Sequence, residues 1–214
     1  MKKIVFLGSG GGGNLKFIHK YFEKELFEIS GVLTDRYCGA HTYANSQGIK
    51  NKILSFKRNE IENKVLIKEL VDLSPDLIIT NVHKILSSEV VKFFEEKFIN
   101  LHYSYLPAYK GMIGMQPVDE AIKLNNSFIG TTAHIVSENV DSGRIISQGI
   151  FCRRKFDNIY QKTFECGALT LLSAILSTVN KKNKIIDDFN GILISPSSDY
   201  IDRTIFIKIF NELK

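Results

Sequence analysis

The chain has 214 residues, 44% of them hydrophobic, and carries a formal charge of +5. That is enough to bury one sizeable core, and no apolar run approaches the ~18 residues that a membrane span needs. The lysines are dispersed, with Lys181, Lys182 and Lys184 the densest group, so a solvated surface and an anionic small substrate are expected, with no nucleic-acid partner and no membrane. Cys38, Cys152 and Cys166 fit no metal-ligand spacing and leave an odd count, so reduced thiols, a cytoplasmic location and no metal are expected.

Met1 to Leu7 begins with lysines as a secretory leader does, but its apolar part is short and runs into glycines. Lys3 to Leu7 is a continuous apolar run, the pattern of a strand buried on both faces. Gly8-Ser9-Gly10-Gly11-Gly12-Gly13-Asn14 follows, and Leu15, Ile18, Phe22 and Leu26 then recur at helical spacing. Strand, glycine loop and helix open a doubly wound α/β sheet, and amides at such a helix start favour an anion. Gly8-x-Gly10-x-x-Gly13 also satisfies the dinucleotide fingerprint, with Asp35 ending the next strand where a ribose-binding acid belongs. A nicotinamide-dependent oxidoreductase is therefore a rival reading.

His41 to Gln47 suits a short helix stopped by Gly48, and Glu60 to Leu73 a longer one with Ile61, Val65, Leu66, Leu70 and Leu73 on its inner face. Pro75 ends it and Leu77 to Thr80 is a third buried strand. Ser87 caps a further helix through Glu96. Phe98-Ile99-Asn100-Leu101-His102 is a strand whose end opens into Tyr103-Ser104-Tyr105-Leu106-Pro107. Asn100 and His102 alternate onto one face of that strand, so an amide and an imidazole can hold one carbonyl oxygen between them.

Pro117 fits the first turn of a helix through Leu124. Ile129 to Val136 and Arg144 to Phe151 alternate as the arms of an antiparallel hairpin, turned at Asn139 to Gly143. Residues 158–179 form a last long helix with Phe164, Leu169, Leu172 and Leu176 inward, and from Ile185 the pattern is weak. The fold class expected is α/β, a doubly wound, mostly parallel sheet with an antiparallel hairpin near the C-terminal part. Residues 1–184 would form the catalytic domain and 185–214 a tail packing on it.

Asn100-x-His102, Ser104, Leu106-Pro107 and Asp141-Ser142-Gly143 together resemble the folate-dependent formyltransferase family over residues 3–176, closest to glycinamide ribonucleotide transformylase. That resemblance implies a Rossmann-like formyltransferase fold and transfer of a formyl group from 10-formyltetrahydrofolate to a primary amine. Asn100, His102 and Asp141 would be catalytic. His83, Lys84, Ile85, Leu86, Asn100 and Val140 would line the folate pocket. Gly11, Gly12, Gly13, Asn14, His134 and Glu165 would bind a phosphorylated acceptor, glycinamide ribonucleotide first and an amino-sugar nucleotide second. Asn100 and a protonated His102 would donate to the oxyanion, and Asp141, as a nearby carboxylate, would favour the charged imidazole and take the amine's proton. The family's glycinamide enzymes usually carry histidines where Ile113 and Met115 stand here, which implies a more apolar acceptor pocket. The extra C-terminal domain of the family's tRNA enzyme has no counterpart in this length, which disfavours tRNA. A monomer or homodimer fits equally, and a binding relative without turnover is a further reading.

Overall fold

A computed structural model describes residues 1–22, 26–179 and 183–213. Cα packing divides the chain into two compact units, Met1–Asn100 with Val136–Glu138 and Leu213, and Leu101–Ile135 with Asn139–Glu212.

The first unit contains β1 (Lys2–Gly8), α1 (Gly13–Tyr21), β2 (Phe27–Thr34), α2 (Gly39–Ser46), β3 (Asn51–Ile53), α3 (Glu60–Leu73), β4 (Leu77–Asn81), α4 (Ser88–Phe93) and the first half of β5 (Phe98–His102). Its strands are parallel, in the order β3-β2-β1-β4-β5. The order reverses between β1 and β4, and Gly8 pairs with Asn81 at the carboxyl ends of those two strands. Loops leaving a sheet at such a reversal border a crevice, which is where ligands bind in open α/β sheets. Val5, Leu7, Leu33, Leu66, Leu70, Ile78 and Phe98 pack in one buried cluster beneath it. Each fully buried aliphatic or aromatic side chain there contributes about 1.5–3 kcal/mol relative to exposure.

Most predicted elements are present, with corrections. α3 has the expected bounds, capped by Asn59, whose Oδ1 accepts from the Glu62 amide, and terminated at Ser74 with φ 48°. Its buried face is different: Ile61 is 76% exposed and Val65 half-exposed, while Asn63, Leu66 and Leu70 face inward. Both stripes obey helical spacing, and the choice between them is made by the sheet that the helix covers. α1 stops at Tyr21 and buries Phe17 beside Leu15 and Ile18, whereas Leu26 is exposed. The segment between Phe22 and Leu26 lies outside the described residues, as do Lys181 and Lys182.

The second unit holds the end of β5, α5 (Gln116–Lys123), β6 (Phe128–Ile135), β7 (Ile145–Cys152), α6 (Ile159–Ser177), β8 (Asn183–Lys184), β9 (Asp187–Phe189), β10 (Ile192–Ser195), β11 (Ser197–Ser198) and α7 (Arg203–Glu212). The expected hairpin is β6–β7, and it is continued by β10 and then β9, all antiparallel. The weakly patterned tail thus supplies β9 and β10 to this sheet, β11, which pairs antiparallel with β8, and the helix α7. α7 buries Phe206, Ile209 and Phe210, with Phe206 against Phe189 and Phe210 against Phe164. The fold is α/β with parallel N-terminal and antiparallel C-terminal strands. Among the described residues no helix is long and apolar enough to cross a membrane.

The glycine loop separates into two kinds of position. Gly12 has φ +75°, and a Cβ there would stand 2.8 Å from the Cα of Ala40. A Cβ at Gly10 or Gly11 would meet nothing within 4 Å. Gly12→Ala is therefore expected to lose about 2 kcal/mol or more of stability in urea denaturation, through strain and overlap with backbone. Gly11→Ala in the same titration should change stability by no more than about 1 kcal/mol.

Candidate functional site

In the second unit two imidazoles converge on Asp141. His102 ends β5, His134 lies near the end of β6, and Asp141 stands in the turn before β7 at φ 50°. All three side chains are at least nine-tenths buried. His102 Nδ1 lies 3.5 Å from Asp141 Oδ2 and His134 Nε2 lies 3.6 Å from Oδ1. The backbone amide of Gly111 donates to Oδ2 at 2.8 Å.

The outer nitrogens fix the tautomers. His102 Nε2 lies 3.2 Å from the carbonyl oxygen of Tyr109, and His134 Nδ1 lies 2.9 Å from that of Ile135. A carbonyl only accepts, so each of these nitrogens carries the hydrogen in a neutral ring. The separations from Asp141 are 3.5 Å at His102 Nδ1 and 3.6 Å at His134 Nε2, long for hydrogen bonds between heavy atoms. A proton arriving on His102 Nδ1 would make its contact with Asp141 a charge-assisted bond. The three side chains together form a place where one proton can be held and released.

Burial pushes His102 below the usual imidazole range, and this outweighs the upward pull of Asp141 and of the Tyr109 carbonyl. The sequence reading, in which Asp141 keeps His102 charged, is corrected here: desolvation wins because the ring is almost wholly enclosed. Burial raises Asp141, but His134, the Gly111 amide and the His102 charge together hold it below the ordinary carboxylate range.

The segment leaving β5 is pinned by two side chains that the sequence did not single out. Thr132, fully buried on β6, accepts from the Leu106 amide at 3.0 Å and donates to the Ser104 carbonyl at 2.8 Å. Gln148 on β7 donates to the Leu106 carbonyl and to Thr132 Oγ1, both at 3.1 Å. The Leu106–Pro107 bond is cis. This clamp sets the path of the chain to Tyr109, whose carbonyl meets His102. Only the hairpin register brings Thr132 and Gln148 opposite one another, so no local sequence signal marks them.

Other expected site residues are placed differently. Glu165 on α6 does not join this cluster. Its Oε2 accepts from Lys162 at 3.0 Å and its Oε1 from Asn190 at 3.1 Å. Val140 is 42% exposed beside Asp141.

In the first unit the amide nitrogen of His83 donates to Ser9 Oγ, which joins the segment after β4 to the glycine loop. His83, Lys84 and Ile85 are exposed, whereas Leu86 packs against the core cluster. Gly13 begins α1, Asn14 is buried in its first turn, and the Cβ side of Gly12 is filled by Ala40. The open approach is over Gly10 and Gly11. Asp35, the candidate ribose acid, is paired through both oxygens with Arg36 at 2.7 and 3.0 Å. Arg36, together with Ser9, draws its carboxyl below the usual range against the effect of burial. Asn100 lies on β5 two residues before His102, and Thr80 Oγ1 is 3.1 Å from its Oδ1. That contact turns the oxygen of the carboxamide toward β4.

Parallel β1–β5, an antiparallel C-terminal sheet and a buried carboxylate between two imidazoles define the class. The chain matches the Formyl transferase family model over residues 2–175 and belongs to that family. It is 31% identical over 160 residues to the chloroplastic phosphoribosylglycinamide formyltransferase of Vigna unguiculata, covering 70% of this chain and 51% of that protein. It is 29% identical over 172 residues to the mitochondrial formyltetrahydrofolate deformylase 2 of Arabidopsis thaliana, covering 76% and 51%. The chain thus spans about half the length of the curated relatives it matches. The crystal structure of phosphoribosylglycinamide formyltransferase from Anaplasma phagocytophilum has the same fold, with a TM-score of 0.75 at 23% identity over 94% of this chain and 96% of that one.

Two measurements check the site. Because folded His102 titrates below 6.5, the unfolded chain binds more protons below that pH, so stability falls as pH drops through 6.5 and is regained above it. His102→Asn is expected to flatten that slope in urea titrations between about pH 5 and 7.5. Thr132→Val should cost about 1–3 kcal/mol by leaving the Ser104 carbonyl and Leu106 amide unpaired. It should also lower the His102 pKa in an NMR titration, since the Tyr109 carbonyl is no longer held on Nε2, and Thr132→Ser should restore both.

Proposed function

We propose that this protein transfers the formyl group of 10-formyltetrahydrofolate to a primary amine, with glycinamide ribonucleotide as the acceptor. The observation that carries this reading is the Asp141 carboxylate, held by the Gly111 amide between His102 and His134. Formyl transfer needs an oxyanion stabilised and one proton moved from the attacking nitrogen to the leaving one, and this cluster suits both tasks.

In the proposed reaction the amine nitrogen attacks the formyl carbon and the carbonyl oxygen becomes an oxyanion. Asn100 and His102 alternate onto one face of β5, and the carboxamide N–H and the His102 Nε2–H are the donors to that oxygen. Preorganised donors of this kind contribute about 3–4 kcal/mol each to a transition state. The formyl oxygen takes the place of the Tyr109 carbonyl on Nε2. The proton lost by the amine passes to the Asp141–imidazole cluster, and from there to N10 of the folate. The C–N10 bond then breaks, releasing tetrahydrofolate and the N-formyl product. No covalent enzyme intermediate is needed, and no metal has a part in these steps.

The acceptor assignment is supported by the glycine loop at the reversal of strand order, where Gly10 and Gly11 leave open space beside the start of α1. A phosphate there is stabilised by backbone amides and the helix dipole. His83, Lys84 and Ile85, the segment that would take the folate in the first unit, are exposed. One observation favours a second acceptor, an amino-sugar nucleotide: Ile113, in the loop after Gly111, is 53% exposed. An apolar side chain there suits a bulkier acceptor than the family's usual histidines do.

The test is release of tetrahydrofolate from 10-formyltetrahydrofolate with glycinamide ribonucleotide, with amino-sugar nucleotides, and with no acceptor. Turnover with glycinamide ribonucleotide is expected, reduced at least ~100-fold in His102→Ala and in Asp141→Asn. Turnover only with an amino sugar would change the acceptor, release with no amine present would make the reaction a hydrolysis, and no release in any arm would refute formyl transfer.

A further inference from the structure

The loop that follows β5 holds one residue in a conformation that its own type disfavours. Tyr109 has φ 57°, in the left-handed region that glycine and asparagine enter readily and that a residue with a bulky side chain avoids. Such a backbone persists only where its surroundings fix it, and outliers of this kind gather at functional sites. Tyr109 lies two residues before Gly111, whose amide binds Asp141, and its own carbonyl meets His102.

Every residue from Ala108 to Met112 is tied. The buried Ser104 hydroxyl donates to the Ala108 carbonyl. The Tyr109 phenol oxygen accepts from Asn126 Nδ2 at 2.6 Å, and the Asn126 carbonyl accepts from Arg153 Nε at 2.9 Å. Lys110 donates to Ser142, and the Gly111 amide donates to Asp141. The Met112 amide donates to the Tyr109 carbonyl at 3.3 Å. Asn126 precedes β6, Arg153 follows β7 and Ser142 lies in the turn between them. The loop is thus fixed from both ends of the hairpin.

The outcome of these ties is the place of one oxygen. The Tyr109 carbonyl lies 3.2 Å from His102 Nε2, and its two lone pairs serve both the ring and the Met112 amide. An enclosed N–H without an acceptor is costly. In the proposed reaction the oxygen that arrives on Nε2 is again a carbonyl oxygen, so the Tyr109 carbonyl is its counterpart in the empty site.

We propose that Tyr109 is a positioning residue for the oxyanion donor: its left-handed backbone, braced by Asn126 and Ser104, sets a carbonyl on His102 Nε2 and keeps that N–H aimed at the place the formyl oxygen takes. This deepens the formyl-transfer reading and rests on it for the use to which the aim is put. The aim itself is measured without substrate.

The experiment follows the His102 Nε2–H resonance in the 15N-labelled whole protein, with kcat and KM determined beside it. Tyr109→Gly keeps ready access to φ 57°, whereas the β-branched side chain of Tyr109→Val is excluded from that region. A slowly exchanging Nε2–H is expected in the parent protein and in Tyr109→Gly. In Tyr109→Val it should exchange at least ~10-fold faster, with kcat lowered ~10-fold and KM changed less than about 2-fold. Tyr109→Phe, which loses only the bond from Asn126, should fall between the two. The proposal is overturned if Tyr109→Val leaves the resonance as it is in the parent. It is equally overturned if Tyr109→Gly speeds exchange as much as Tyr109→Val, since the left-handed backbone would then not place the carbonyl. The expected order of exchange in a protein that transfers no formyl group would refute the proposed reaction and uphold the positioning of His102.

Discussion

The arrangement of the candidate centre depends on one carboxylate kept ionised inside the protein. Asp141 is enclosed, yet its carboxyl stays below the usual range because the Gly111 amide and two imidazoles surround it. The outer nitrogens of the two rings meet the Tyr109 and Ile135 carbonyls, which hold the rings in place beside it. A buried negative charge without such partners would protonate. The hairpin register and the path from β5 to Tyr109 therefore bear directly on the chemistry available at Asp141.

His102 shows how two opposing effects are decided by magnitude. A carboxylate 3.5 Å away favours the imidazolium, and burial favours the neutral ring. With the side chain only 7% exposed, desolvation is the larger effect and the ring rests neutral near pH 7. A neutral imidazole with its hydrogen on Nε2 still donates to an oxyanion. It also leaves Nδ1 able to accept a proton across from Asp141. The Thr132–Gln148 clamp serves this arrangement from a distance, by holding the backbone whose carbonyl fixes the Nε2 hydrogen.

The first unit applies a different physical rule to the same end. Its strand order reverses between β1 and β4, so two loops leave the sheet at one place, joined by the bond from the His83 amide to Ser9. The glycines of the first loop have unlike roles. Gly12 is required by its own backbone and by Ala40, whereas Gly10 and Gly11 keep space open. A glycine fingerprint therefore mixes packing with binding, and the sequence alone does not separate them. Asp35 illustrates the same point: its place in the pattern suits a ribose, but Arg36 and Ser9 engage it.

Much of this protein was determined locally and could be read from the chain. The opening strand, loop and helix, the bounds of α3, and Asn100 and His102 on one face of a strand follow from periodicity, capping and alternation, which act over a few residues. The link from these to Asp141 rested on family resemblance. Tertiary structure decided what depends on distant partners. It chose the stripe of α3 that is buried, gave the weakly patterned tail three strands and a helix, and took Glu165 into contact with Lys162 and Asn190. It also set the protonation of His102, because burial and the placement of a carbonyl seven residues away are properties of packing, and no local pattern encodes them.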